Sequence, residues 1–380
     1  MAGIFYGWIG VYYGELAQMV DTWAYYYEAV KETEIIRSDP GLFFSTIFSN
    51  SYEHGYSGFL SAENSWWNDL KANFLIKIVA IFNLLSFSHY YTNIIFYSFL
   101  TLFGPIAIYR VMDHVFPTKK LAVLISTFLL PSFLYWTSGV HKEGLLFVAF
   151  ALITYHLYFA FKEDRLRFYR VLVILFSLLL ILILRNFLII PLIPAIVAWF
   201  IAAKMRVKPV YSFAAIYAVF VILFFTARYI NPNLDFPAAV VDRQSAFMAL
   251  KGDSDVEVEA LKPSFENFVK NAPQAFIISV VRPFPADVRH LLSFAAALEI
   301  NLLLLLFVIF LFWRKNGVGF TPFILFSIFL SFSVLIMIGY SVNNLGAVVR
   351  YRSIVLPFLI IPMMAKINWH KLKNILLGNI

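Results

Sequence analysis

Val171-Leu-Val-Ile-Leu-Phe-Ser-Leu-Leu-Leu-Ile-Leu-Ile-Leu184 carries no charge, and Arg185-Asn186 separates it from a second apolar run over residues 187–203. Runs of this kind would be stranded in a water-soluble core. A helix of about 20 residues rising ~1.5 Å per residue matches a hydrocarbon layer ~30 Å thick. Residues 91–109, 121–139, 144–161, 210–227, 291–313, 320–340 and 348–365 repeat the pattern, and 1–20 reads as a short first span. The sequence therefore predicts an all-α polytopic membrane protein with about ten transmembrane helices. The runs are continuous rather than alternating, which argues against a β-barrel.

Composition agrees. The 380 residues are 61% hydrophobic and 14% charged, where soluble domains carry roughly 25% charged residues. The net charge of +8 comes from Lys and Arg in short loops between apolar runs, so it sets membrane orientation and does not point to nucleic acid. There are no cysteines, which excludes disulfides, thiolate catalysis and Cys-ligated metals. Residues 1–20 lack a basic leader, so no cleavable signal peptide is expected. No P-loop, G-x-S-x-G, H-E-x-x-H or selectivity-filter sequence occurs.

Basic clusters at 110–120, 162–170, 204–208, 314–315 and 366–373 fall at every second junction. The positive-inside rule makes these junctions cytoplasmic. The alternation holds only if residues 72–87, which contain Lys77, do not cross; they are expected to lie against the membrane or re-enter it. The chain then reads as a single integral membrane domain. Residues 1–20 form the first span, and 21–90 an outer loop with juxtamembrane helices. Six spans follow over 91–227, an outer loop over 228–290, and three spans with a cytoplasmic tail over 291–380.

The remaining ionisable residues collect on the outer face. Asp21 follows the first span, where it is either a general base or ligand or simply the N-cap of the next helix. His141-Lys142-Glu143 sits in a short turn between apolar helices. There His141 is a proton carrier or metal ligand, Lys142 a phosphate contact, and Glu143 a second acid/base or a partner for Lys142. The bland reading is a solvated turn with Lys142 and Glu143 paired. Arg185, Arg282, Arg350 and Arg352 suit phosphate, because the guanidinium fork makes bidentate, charge-assisted bonds; snorkelling to lipid headgroups is the alternative. Arg350 is expected to lie a turn or more into the last apolar run. For Arg289 the bland reading is preferred. Glu299 is buried by pattern, as a partner for a basic residue such as Arg350 or as a packing hydrogen bonder. A one-sided set of carboxylate, His and Arg fits a phosphate-bearing, lipid-linked ligand.

Several residues in order carry a family resemblance. They are Asp21 with Tyr25–Tyr27 and Ala29 after a short span, Pro131-Ser-Phe-Leu-Tyr-Trp-Thr-Ser-Gly-Val-His-Lys-Glu-Gly144, Arg282-Pro-Phe284, and Arg350-Tyr-Arg352 at the head of a late helix. The layout resembles the multi-span GT-C glycosyltransferases, which include protein mannosyltransferases and the lipid A aminoarabinose transferase. Where that family often has Asp-Glu, this chain has Asp21-Thr22. The resemblance implies a polyprenyl-phosphate-linked sugar donor. It implies an acceptor glycan, lipid or protein, and a periplasmic active face on a bacterial inner membrane, in cell-envelope polysaccharide biosynthesis. It implies Asp21 as base or ligand of a divalent metal ion, with Arg350 and Arg352 on the lipid phosphate. A lipid-linked glycan polymerase or ligase, a flippase, and a non-catalytic structural subunit of an envelope complex remain alternatives.

Overall fold

A computed structural model describes residues 20–49, 66–205, 207–250, 252–315 and 319–376, together with Gly3 and Gly7. The chain is 82% helical and has no strand among the described residues. Among the described residues, six helical stretches are long and apolar enough to cross a membrane, or eight if each of two bent pairs is one crossing. They bear out an all-helical membrane protein without establishing the count of about ten. The expected span over 1–20 lies outside the described residues. The runs 171–184 and 187–203 join into one stretch, Phe168–Lys204, of 37 residues. That is about twice what one crossing needs, and the helix breaks midway at a 3₁₀ turn, Asn186–Leu188, preceded by Arg185 at φ −157°.

The chain forms two compact units interleaved in sequence. The first comprises Met1–Ala107, Leu134–Leu157 and Leu166–Ile189; the second comprises Ile108–Phe133, Tyr158–Arg165 and Ile190–Ile380.

In the first unit, α1 (Val20–Ser38) packs against α3 (Trp66–Ser86), and the short α2 (Pro40–Ser45) lies beside α1. Asp39 starts α2 by accepting the Leu42 amide at 2.9 Å, with Pro40 in the first turn, the position where its missing N–H costs nothing. Polar residues lock the hairpin from within. Asn93 on α4 (Tyr90–Thr101) donates to Asn83 on α3 at 2.6 Å, and Asn83 donates to Thr33 on α1 at 3.0 Å. All three side chains are buried, so each bond avoids an orphaned polar group. Lys77 is also spoken for. Its ammonium donates to Glu32 at 2.5 Å and to Thr46 at 2.7 Å, and lies 4.4 Å from the Phe43 ring centroid. α3 is not among the stretches apolar enough to cross.

Among the described residues the second unit holds three full-length apolar stretches, Pro209–Tyr229, α14 (Leu291–Trp313) and α15 (Pro322–Ser341). Thr321 caps α15 by accepting the Ile324 amide, with Pro322 in the first turn. α12 (Phe236–Ala249) and α13 (Phe265–Phe276) of the 228–290 loop both pack on α15. A β-carbon at Gly339 would stand 1.9 Å from the Ala275 carbonyl oxygen, a backbone atom that cannot swing aside. We expect Gly339→Ala to lower Tm by an overpacking cost of ~1–3 kcal/mol. Gly319→Ala, where nothing lies within 4 Å, is the control and should melt like the wild type. Equal melting of the two variants would refute this close approach.

The last span is a bent pair. α16 (Leu345–Arg352) and α17 (Leu356–Lys366) meet at 63°, with Pro357 in the first turn of α17. The 228–290 loop straps the head of α16. Asn344 caps the helix through the Ala347 amide, accepts from the Ser254 hydroxyl at 3.1 Å and donates to Asp255 at 2.8 Å. A second bent pair, α6 (Lys120–Phe128) and α7 (Pro131–Ser138), meets at 52°. The break falls before Pro131, which has no amide hydrogen to continue the helical ladder.

Candidate functional site

The expected outer-face residues divide between the two units. The first unit holds His141, Lys142, Glu143 and Arg185; the second holds Arg282, Arg350 and Arg352. Asp21 lies within α1, since Val20 is already helical, so it is not the residue before the helix. Its side chain lies outside the described residues.

His141 immediately precedes α8 (Lys142–Lys162), and the first turn of α8 carries Lys142 and Glu143. The expectation of a solvated turn is overturned. His141 is 3% exposed and Glu143 1% exposed, and Lys142 is buried as well. Nor do Lys142 and Glu143 form the pair expected of them. Glu143 accepts from Arg185 at 2.5 Å, and the Lys142 ammonium lies 5.1 Å from the Tyr25 ring centroid, within the range of a cation–π contact. Arg185 ends α9 (Phe168–Arg185). The pair thus places a carboxylate at one helix N-terminus and a guanidinium at another's C-terminus, the signs both dipoles favour. This geometry makes Arg185 a partner of Glu143.

The His141 ring faces α1. Its Nδ1 is 3.4 Å from the Thr22 hydroxyl, and the Trp136 ring centroid lies 5.0 Å away. The Tyr97 hydroxyl donates to the His141 carbonyl. Gly144 allows the tight turn, since a β-carbon there would stand 2.6 Å from the Thr137 carbonyl oxygen. Sequence reasoning missed Thr22 and Tyr97. The available signal for Tyr97 was a phenol in an apolar span, which needs a partner when buried.

In the second unit, Arg282 grips Asp287 with two bonds, Nε to Oδ2 at 3.0 Å and Nη2 to Oδ1 at 2.6 Å. The Arg282 hydrogen bonds are the main reason the Asp287 carboxyl is held below the usual carboxylate range. Arg289 donates to the Asp253 carbonyl and is exposed. Arg350 is only partly buried; the fully buried arginine is Arg352, at 1% exposure. Arg352 Nη1 donates to the Arg282 carbonyl at 2.5 Å, and its Nε has no hydrogen-bond partner among the described residues. Glu299, buried in α14, accepts the Ser132 amide with both oxygens at 3.2 Å. The cation whose charge it feels is Arg352, not Arg350.

Comparison with known proteins finds no matching family model, no matching curated protein and no matching solved structure. Among the described residues, no three His, Asp or Glu side chains converge as a metal ion requires.

Proposed function

We propose that this protein is a membrane glycosyltransferase that moves a sugar from a polyprenyl-phosphate donor to an acceptor hydroxyl. The reading is supported above all by the buried His141, Lys142, Glu143 and Arg185 at the head of a membrane-length helix. Ionisable groups at membrane depth are costly, and they persist where they perform chemistry or transport.

In the proposed step the acceptor oxygen attacks the sugar C1. The bond from C1 to the phosphate oxygen breaks, and the polyprenyl phosphate leaves with the electron pair. The acceptor proton passes to the His141 imidazole, since Glu143 is engaged by Arg185; Asp21 is the alternative base. The family resemblance assigns the donor phosphate to Arg350 and Arg352, and a general base of this kind contributes ~10²–10⁴ in rate. The setting proposed is a bacterial inner membrane with the active face periplasmic.

The test is a thermal shift of the purified protein with a short polyprenyl phosphate. The wild type should be stabilised, and Arg350→Ala should lose the effect while keeping its ligand-free Tm, because Arg350 is only partly buried. No shift in folded wild-type protein would remove the donor from the proposal and favour a structural subunit instead.

A further inference from the structure

Four cations gather at one end of the second unit. Arg314 and Ile367 form an isolated antiparallel bridge, and the Lys315 amide donates to the Lys366 carbonyl at 3.0 Å. This short ladder sets the C-terminal ends of α14 and α17 side by side. α17 packs along α6, and Lys119 is the residue just before α6. The Lys119 ammonium faces that of Lys315. Partial burial first, and the Lys315 charge second, hold Lys119 below the usual lysine range. No carboxylate among the described residues lies within ion-pair distance of Arg314, Lys315, Lys119 or Lys366.

Part of this is ordinary. Arg314, Lys315 and Lys366 follow or end helices, where a cation suits the dipole, and basic residues at span ends orient membrane proteins. Lys119 fits neither account. It stands at the positive pole of α6, which has no side-chain cap, and it faces a second ammonium. Like charges set this close, beside unsatisfied amide donors, call for an anion.

The surroundings point to the source of that anion. α14 leaves Leu311 and Phe312 exposed beside the cluster, Phe312 at 73%. Lys366 is 9% exposed and sits 5.7 Å from the ring centroid of the exposed Phe320. The following α18 (Trp369–Leu376) adds Lys371 and Lys373, with the Trp369 indole donating to the Met364 carbonyl. An apolar flank for acyl chains next to a cationic end with aromatic neighbours is the chemistry of a lipid headgroup.

We propose that this end of the second unit binds the phosphate of an anionic phospholipid, held between Lys119 and Lys315 with Arg314 and Lys366 flanking. The proposal is independent of glycosyl transfer.

The experiment is thermal unfolding of the purified protein in neutral detergent, with phosphatidylglycerol, phosphatidylcholine or sodium phosphate added separately. Phosphatidylglycerol should raise Tm, and the other two should not. The double variant Lys119→Gln/Lys315→Gln should lose the phosphatidylglycerol effect. Without lipid it should melt at or above the wild type, because the facing charges are gone. Equal stabilisation by phosphatidylcholine would mean a bulk lipid effect, and equal stabilisation by sodium phosphate a soluble anion. Either result overturns the proposal, as does a double variant that keeps the phosphatidylglycerol shift. A lipid-free double variant that melts below the wild type would show that the lysines serve the fold itself, and would also overturn it.

Discussion

Glu143→Ala is expected to lower Tm strongly, by the equivalent of ~3–5 kcal/mol, because it strips a buried guanidinium of the carboxylate it contacts. The Arg185 side chain is 12% exposed and that of Glu143 1% exposed, so little water is available to replace the bond. The pair also ties the start of α8 to the end of α9. Glu143→Gln/Arg185→Met removes both charges at near-constant volume and should cost less than the sum of the single changes. His141→Gln separates chemistry from architecture. The ring lies 3.4 Å from the Thr22 hydroxyl and tilted against Trp136 at 5.0 Å; Gln keeps a polar side chain of similar reach, so Tm should move far less than in Glu143→Ala. Sugar transfer from a polyprenyl-phosphate donor should nonetheless fall by ~10²–10⁴ if the imidazole takes the acceptor proton. Melting of Glu143→Ala at the wild-type temperature would deny the pair its structural role. Undiminished transfer by His141→Gln would remove the imidazole from the proposed step.

The fold was legible where local chemistry decides it. Apolar run length marked the membrane helices; the bends at Pro131 and Pro357 and the caps Asp39, Thr321 and Asn344 are local features that run length does not reveal. Residues 72–87 are too short and carry Lys77, and the charge alternation independently keeps them from crossing; the helix there does fall short of a crossing stretch. What could not be read were partners far apart in sequence. Glu143 had Lys142 as a neighbour and Arg185 forty-two positions away. Helix polarity and burial selected the distant one. The same limit misplaced the buried arginine. Arg350 and Arg352 are two residues apart, so they project in different directions from a helix, and it is Arg352 that is enclosed. The Asn93–Asn83–Thr33 chain gave no signal, because single polar residues in apolar helices have the same appearance whether they are paired or lipid-facing.

Arg352→Met is expected to be the most damaging single change in the second unit. The side chain is fully buried, its bond to the Arg282 carbonyl is 2.5 Å, and Glu299 is the carboxylate that feels its charge. Removing the guanidinium leaves the Arg282 carbonyl without that donor, a loss of ~1–3 kcal/mol for an unsatisfied acceptor, and takes a positive charge away from the buried Glu299. Arg352→Met/Glu299→Gln should recover whatever part of the loss comes from Glu299. Recovery would carry a further meaning. Neutral replacements of buried charge pairs are often tolerated or even stabilising, so stability alone gives no reason to keep an arginine here. If the double variant melts near the wild type yet no longer responds to polyprenyl phosphate, Arg352 is there for an anion. If it melts near the wild type and still responds, the phosphate is held elsewhere and the buried charge serves specificity of packing. If it melts as low as Arg352→Met, Glu299 and Arg352 do not compensate one another, and the energetic role of Arg352 rests on the Arg282 carbonyl.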